Sequence, residues 1–488
     1  MAKLHELRFD NTYARLPPAF YSKLAPTPLA EPHLVSFNPA AAELIGLDAS
    51  EAERPEFVEA FGGKSLPRGA EPLAMLYAGH QFGAYVPQLG DGRAILLGEV
   101  RGPAGDKWDL HLKGSGPTPY SRGFDGRAVL RSTVREYLCG EALHGLGVPT
   151  TRALCIVGSS EPVVRERVES AAALVRLSPS HVRFGTFEVF HRRAQHAHVR
   201  QLADYVIGQH FPELSGLPDG HARFFSEVAT RTARLIAMWQ AHGFAHGVMN
   251  TDNMSILGLT IDYGPFGFID DFDPGYVCNH SDYAGRYAFD QQPAVGLWNL
   301  TRLAEALSTL LAPEQIESAL QLYPAAFANA YADLMRRKLG LREERPADAQ
   351  LVARLLELLQ RGHVDYPRFF RALGDFQEAP GATNETLRVM FDSPADFDAW
   401  AADYRARLSE ERSEPAARKA LMDSVNPKYV LRNYLAQNAI TRAEGRDYSE
   451  IQRLLELLSD PFAEHPGMED YAAPPPAWGR GLVLSCSS

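Results

Sequence analysis

The chain has 488 residues, 45% of them hydrophobic and 22% charged, a balance that excludes a disordered or fibrous protein and allows roughly three domains of ordinary size. Its 49 Lys and Arg against 60 Asp and Glu leave a formal charge of −11, whose field repels polyanions, so neither nucleic acid nor an anionic membrane is expected as a partner. The opening MAKLHELRFD carries Glu6 and Asp10 and does not read as a signal or transit peptide, no apolar run reaches the length of a membrane span, and the four cysteines at 139, 155, 278 and 486 show no C-x-x-C spacing, so a cytoplasmic protein without a zinc or disulfide scaffold is expected.

In chain order, the first segment is rich in proline and irregular (LPPAFYSKLAPTPLAEPHL) before NPAAAELIGLD, which predicts a short helix capped by Asn38 with Pro39 at its first position. From Tyr77 the pattern turns to strands. RAILLGEV and KWDLHLKG are short alternating runs joined by the turn-like RGPAGD, and TRALCIVG and ESAAALVRL read as two more. Between these pairs RSTVREYLCGEALHGLG predicts one helix, with Leu130, Val134 and Leu138 on one face and Gly145 and Gly147 at its end.

After about residue 185 the chain becomes helical, most clearly in HVRQLADYVIGQHF and FFSEVATRTARLIAMWQAHG, and the prolines of YAAPPPAWGRG exclude regular helix near the end, so an extended tail is expected there. The sum is an α+β chain on the two-lobed plan of protein kinases. An N-terminal extension covers 1–76, a small mixed β-sheet N-lobe 77–184, a larger helical C-lobe 185–440, and a C-terminal extension and tail 441–488.

The chemistry-bearing residues fall in an order that suits transfer of a phosphoryl or nucleotidyl group, which needs cations on the phosphates, ligands for a divalent metal and exact placement of the reactants. Lys113 ends a strand, and Glu136 follows in the helix at the place of the glutamate that steadies such a lysine; either alone would read as a surface ion pair. Downstream, HGVMNTDN has the form H-x-D-x-x-x-x-N of a kinase catalytic loop but holds Val248 where the catalytic Asp belongs. It is followed by DYG in place of DFG.

Asn253 and Asp262 therefore match the two metal-ligating positions, with oxygen donors suited to Mg²⁺ and compatible with Mn²⁺. Asp252 is the nearest carboxylate able to replace the missing base, with a plain turn residue as the bland alternative. Gly90 and Gly92 precede a strand, as a phosphate-covering turn would, although spacing alone favours a plain hairpin turn, and Asp125 lies in a DGR loop able to meet a nucleotide. GGKS at 62–65 is not a P-loop, since Val58 stands at its first glycine. HRRAQHAH at 191–198 reads as solvated surface, as does the acidic run of Asp270, Asp271 and Asp273.

These motifs, with the opening FDNTYARLPPAFYSKLAPTPL and the runs QLGDGRA, KGSGPTPYSRGFDGRAVLRS, HGVMNTDNMS and DYGPFGF, closely resemble the SelO (selenoprotein O) family over nearly the whole chain. The resemblance implies a kinase-like fold, long regarded as a pseudokinase. It also implies transfer of AMP from ATP to Ser, Thr or Tyr hydroxyls of protein substrates, or in some members of UMP from UTP with Mn²⁺.

It further implies a nucleotide bound in reverse, its γ-phosphate buried. Arg93, Lys113, Arg176 and Arg183 would then meet phosphates, Gly90 and Gly92 would approach the nucleotide, and Asp125 and Gly126 would lie toward its base side. Glu136 would hold Lys113, Asn253 and Asp262 would bind the metal, and Asp252 would take the hydroxyl proton. Cys486 matches the place of the selenocysteine that many animal members carry, and with Cys278 it forms a candidate redox pair; two unrelated thiols are the alternative. The rival readings are a catalytically silent ATP-binding scaffold and an ordinary γ-phosphoryl kinase, against which Val248 speaks.

Overall fold

A computed structural model of the chain describes residues 1–411 and 413–482. It is a mixed α+β structure built on an antiparallel sheet and many helices. The sheet strands are β1 (Tyr21–Lys23), β2 (His33–Phe37), β3 (Leu73–Met75), β6 (Ala94–Arg101), β7 (Lys107–Lys113), β8 (Ala128–Val129), β9 (Arg152–Val164) and β10 (Val168–Ser178). They lie in the order β1-β3-β6-β7-β10-β9-β2, with β8 paired on β10. A separate two-stranded ribbon joins β4 (Gly79–Gln81) to β5 (Ala84–Val86), and a second joins β11 (Phe244–Ala245) to β12 (Gly267–Phe268).

The Pro-rich beginning is thus not merely irregular, because β1, β2 and β3 all come from before residue 77 and complete the sheet's two edges. One face of the sheet is covered by α1 (Pro39–Leu44) and α2 (Pro55–Phe61), which bury Ile95, Leu97, Leu110, Leu112, Val157 and Val175 with Phe57 and Phe61. The cap on α1 is as expected: the Asn38 side chain accepts from the Ala41 amide and Pro39 takes the first turn. Against the other face lies α3 (Leu130–Gly145), whose Val134, Leu138 and Ala142 pack with Ile156 and Leu174.

The helical part begins with α4 (Phe184–Arg192), α5 (His196–His210) and α6 (Gly220–His242), followed by α7 (Gln292–Leu307) and α8 (Pro313–Lys338). Helix α6 is amphipathic through Phe224, Val228, Leu235 and Trp239 and ends at Gly243 in the left-handed conformation, φ 68°. A second core gathers α9 (Asp348–Arg361), α10 (Tyr366–Leu373), α11 (Glu385–Arg388) and α12 (Pro394–Glu411) around Phe369, Trp400 and Tyr404. Beyond α13 (Pro415–Asp423), α14 (Asn433–Glu444) and α15 (Ser449–Ser459) return to pack on α3. Among the described residues no helix is long and apolar enough to cross a membrane.

Two surface expectations are corrected by packing. Asp270 is not part of a solvated loop: with Asp365 it flanks the buried Arg432, which pairs with Asp270 through Nη1 and with Asp365 Oδ1 at 3.0 Å through Nη2. The final prolines do not run free either, since Gly479 is buried and Trp478 sets its ring edge on Tyr434 with centroids 6.1 Å apart. The last six positions, Cys486 among them, lie outside the described residues.

Because buried Arg432 pairs with the buried Asp365 as well as the part-exposed Asp270, removing it strands the Asp365 charge. Arg432→Ala is expected to lower stability by about 3–5 kcal/mol, read as a fall in the urea midpoint at unchanged slope. A midpoint within the scatter of the wild type would show that the pair is solvated in solution.

Candidate functional site

The polar face of the sheet and the loops after α6 enclose a cleft of about 910 Å³, within the range of small-molecule sites. Its inner wall is made by strand alternation. In KWDLHLK, Leu110 and Leu112 turn to the covered face, so Asp109, His111 and Lys113 turn to the cleft side. Opposite them β10 carries Arg176, in register with His111.

Lys113 Nζ pairs with Glu136 Oε2 of α3, joining the two residues that the sequence placed in order. Arg176 Nη1 lies 3.3 Å from the other Glu136 oxygen and also binds Asp262 Oδ1. Arg183, at the start of α4, binds Asp262 Oδ2 and donates to the Asp252 carbonyl at 2.7 Å, while its guanidinium stacks over Tyr77 at 4.4 Å. The cations and acids therefore interlock.

Burial opposes ionisation of Asp262, but the guanidiniums of Arg183 and Arg176 beside it outweigh that and hold its carboxyl well below the usual range. Its backbone is left-handed, φ 57°, an uncommon state for a residue other than glycine and one found where function fixes the geometry. Lys113 is drawn downward by burial despite Glu136, with Arg93 and Arg176 adding like-charge repulsion.

The loop carrying Val248 is fully built. His246 Nδ1 accepts from the Val248 amide at 3.3 Å and its Nε2 donates to the Ile261 carbonyl at 2.9 Å, which ties the loop to the residue before Asp262. Asn253 donates through Nδ2 to the Val248 carbonyl at 3.0 Å, leaving its oxygen as the end suited to a cation. Asp252 accepts from Gln81 Nε2 at 3.1 Å through Oδ2, while Oδ1 is buried without a partner against Gly79, where a Cβ would come within 2.6 Å. Burial is the main reason its carboxyl is pushed up to about 7.

At the outer wall Gly90, Gly92 and Arg93 lie in the turn before β6, and the lining also includes Asp125 and Gly126. The glycines serve close chain packing: a Cβ on Gly90, φ 99°, would meet the Tyr120 ring at 2.7 Å, and one on Gly126 would meet the Gly116 carbonyl at 2.1 Å. Asp125 is engaged by Arg165, with both guanidinium contacts at 2.8 Å, and by the Arg127 amide.

The residues expected at the nucleotide, the metal and the proton transfer thus meet at one cleft. Glu136 and Arg183 stand behind its lining and the others on it. Cys278 does not belong to this lining: its buried thiol donates to the Pro265 carbonyl at 3.0 Å and burial pushes it up to about 12. Its suggested partner Cys486 is outside the described residues.

Four contributors were missed by sequence reasoning: Tyr77, Gln81, Asp91 and His111. The signal for His111 was present, since D-L-H-L-K sets three polar residues at alternate strand positions between leucines and so marks a polar buried face. Gln81 and Tyr77 carry no such pattern, because they reach the site only through the fold.

The chain is similar to known proteins over nearly its whole length. The family profile described as "Protein adenylyltransferase SelO" matches residues 3–459. The chain is 64% identical over 489 residues to the "Protein nucleotidyltransferase YdiU" of Myxococcus xanthus (strain DK1622), with both chains covered in full. It is 58% identical over 494 residues to the protein of the same description from Thioalkalivibrio sulfidiphilus and 56% identical over 491 residues to that from Thiobacillus denitrificans, again over the whole of both chains. The chain therefore belongs to the SelO family and is a nucleotidyltransferase.

Proposed function

We propose that the protein transfers AMP from ATP to Ser, Thr or Tyr hydroxyls of other proteins, on a frame whose sheet-bearing and helical parts correspond to the two lobes of a kinase. The observation that carries the reading is the concentration of Lys113, Arg176 and Arg183 at the inner wall, with the Asp252 carboxylate, held by Gln81, on the loop after α6. Cations deep in a cleft favour the most highly charged end of a triphosphate there. With the γ-phosphate innermost, the α-phosphorus lies toward the acceptor.

The acceptor hydroxyl then attacks the α-phosphorus in line. The new O–Pα bond forms as the bond from Pα to the bridging β-oxygen breaks, pyrophosphate departs with its charge held by the inner cations, and the hydroxyl proton passes to the Asp252 carboxylate. Gly90, Gly92 and Arg93 cover the phosphates from the outer wall, and Asp125 and Gly126 face the base side. Glu136 holds Lys113 extended.

The donor set fits a divalent cation. Asn253 offers an amide oxygen and Asp262 a carboxylate kept ionised by its surroundings, and both are hard ligands. Bound there, Mg²⁺ or Mn²⁺ would neutralise phosphate charge. UMP transfer from UTP uses the same residues and differs at the base side. A silent ATP-binding scaffold is favoured only by Val248, and the place of Asp252 on the cleft lining supports a working base in its stead.

ATP labelled at the α-phosphate is expected to leave label on acceptor protein and ATP labelled at the γ-phosphate to leave none, with acceptor mass rising by one AMP. Label from the γ-position alone would make the protein a kinase, and label from neither a scaffold. Asp252→Asn, which keeps shape and loses the base, is expected to slow transfer by about 10²- to 10⁴-fold with ATP affinity little changed. Chelation is expected to stop transfer and added Mg²⁺ or Mn²⁺ to restore it. Asn253→Ala should raise the metal concentration for half-maximal ATP-analogue binding by about tenfold or more.

A further inference from the structure

Arg176 has a partner that no acid supplies. Its Nη2 donates to His111 Nδ1 at 2.8 Å, across a directly paired position of β10 and β7. An imidazole nitrogen that accepts from a guanidinium must keep its lone pair, so the ring is neutral with its proton on Nε2. That Nε2 faces Asp91 Oδ2 at 3.1 Å, and the same oxygen accepts the Met75 amide at 3.0 Å.

The ring is held on its face as well. His181 stacks on it with centroids 4.2 Å apart and planes 17° from parallel, and His181 is itself fixed by Asp109 through its amide and its Nδ1, both at 2.9 Å. His111 is wholly buried and does not line the cleft.

We propose that His111 is a positioning residue for the triphosphate, acting through Arg176. The Asp91–His111 pair sets the plane of the guanidinium, so that Nη1 meets Glu136 and Asp262 while the group faces the phosphates. A neutral acceptor suits this task better than a carboxylate would. Glu136 and Asp262 already offset the positive charge of Arg176, and a third acid would cancel the attraction that the phosphate needs. Imidazole gives direction without further neutralisation. Asp91 follows Gly90 in the turn before β6, so the same contact ties that turn to the inner wall. The role rests on the proposal that the cleft holds nucleotide phosphates.

The test compares His111→Phe with His111→Gln in the full chain. Phe keeps a ring against His181 but cannot accept, whereas Gln accepts through its carbonyl and donates through its amide. The readouts are ATP dissociation, KM and kcat of label transfer, melting temperature, and the crystal structure of each variant. His111→Phe is expected to raise the ATP dissociation constant and KM by about tenfold with kcat within about threefold, and Gln to restore both to within about threefold of wild type.

ATP affinity unchanged in the Phe variant would overturn the role, as would a Gln variant that folds yet binds as weakly as Phe. Where the Phe variant does not fold, His111→Ala removes the acceptor without added bulk and is read in the same way. If the wild type itself binds no nucleotide, the proposed function falls, and the variant structures still decide the matter. A guanidinium displaced in the Phe variant supports positioning of Arg176 by His111, and one that keeps its wild-type place refutes it.

Discussion

The site depends on a charge balance in a place where water cannot help. Lys113, Arg176 and Arg183 are all buried beside one another, and each would be prohibitive there without a counter-charge. Glu136 and Asp262 supply it, with Asp262 shared between two guanidiniums, one on each carboxylate oxygen. That shared carboxylate couples β10, the start of α4 and the loop after β11. It also explains why Asp262 tolerates a left-handed backbone: displacement would break two buried ion pairs at once.

The same balance organises what surrounds it. Lys113 and Arg176 occupy the polar face of the sheet and Arg183 the start of α4, and buried polar groups beside them set their orientation. The neutral imidazole of His111 directs Arg176, held at its other nitrogen by Asp91 on the cleft lining and on its face by His181, which Asp109 fixes in turn. Burial keeps both imidazoles below their ordinary titration range, with His111 at about 4. On the other side the HGVMNTDN loop is held by His246, whose two ring nitrogens join Val248 to Ile261 and so set the distance between Asp252 and Asp262 by backbone contacts. Replacing the usual Asp by Val248 left this scaffold intact.

Packing beyond the cleft has the same logic at lower charge density. Arg432 sits between Asp270 and Asp365 and ties the segment after DYG to the start of α10, where Asp365 also caps the helix by accepting from the Arg368 amide at 3.1 Å. The C-terminal turns close over α14, and α15 returns to α3, where Gly145 leaves space for the Leu458 carbonyl that a Cβ would approach within 1.9 Å. The helix that carries Glu136 is thus braced from the far end of the chain.

Local pattern was enough to identify the four long strands, α3, α6 and the Asn38 cap, because each follows from alternation, helical period or a terminal donor that residues within a few positions satisfy. Motif order was enough to bring Lys113, Glu136, Asn253 and Asp262 together, since their spacing reflects a chain path that few folds share. The irregular first 76 residues did not disclose three sheet strands, because short edge strands gain their stability from neighbours distant in sequence. Nor did the sequence alone disclose that Asp270 pairs with Arg432, that Gln81 holds Asp252, or that His111 steadies Arg176. Those are contacts between segments far apart along the chain, and whether a polar side chain ends in water or against an ion is settled only when the tertiary fold closes over it.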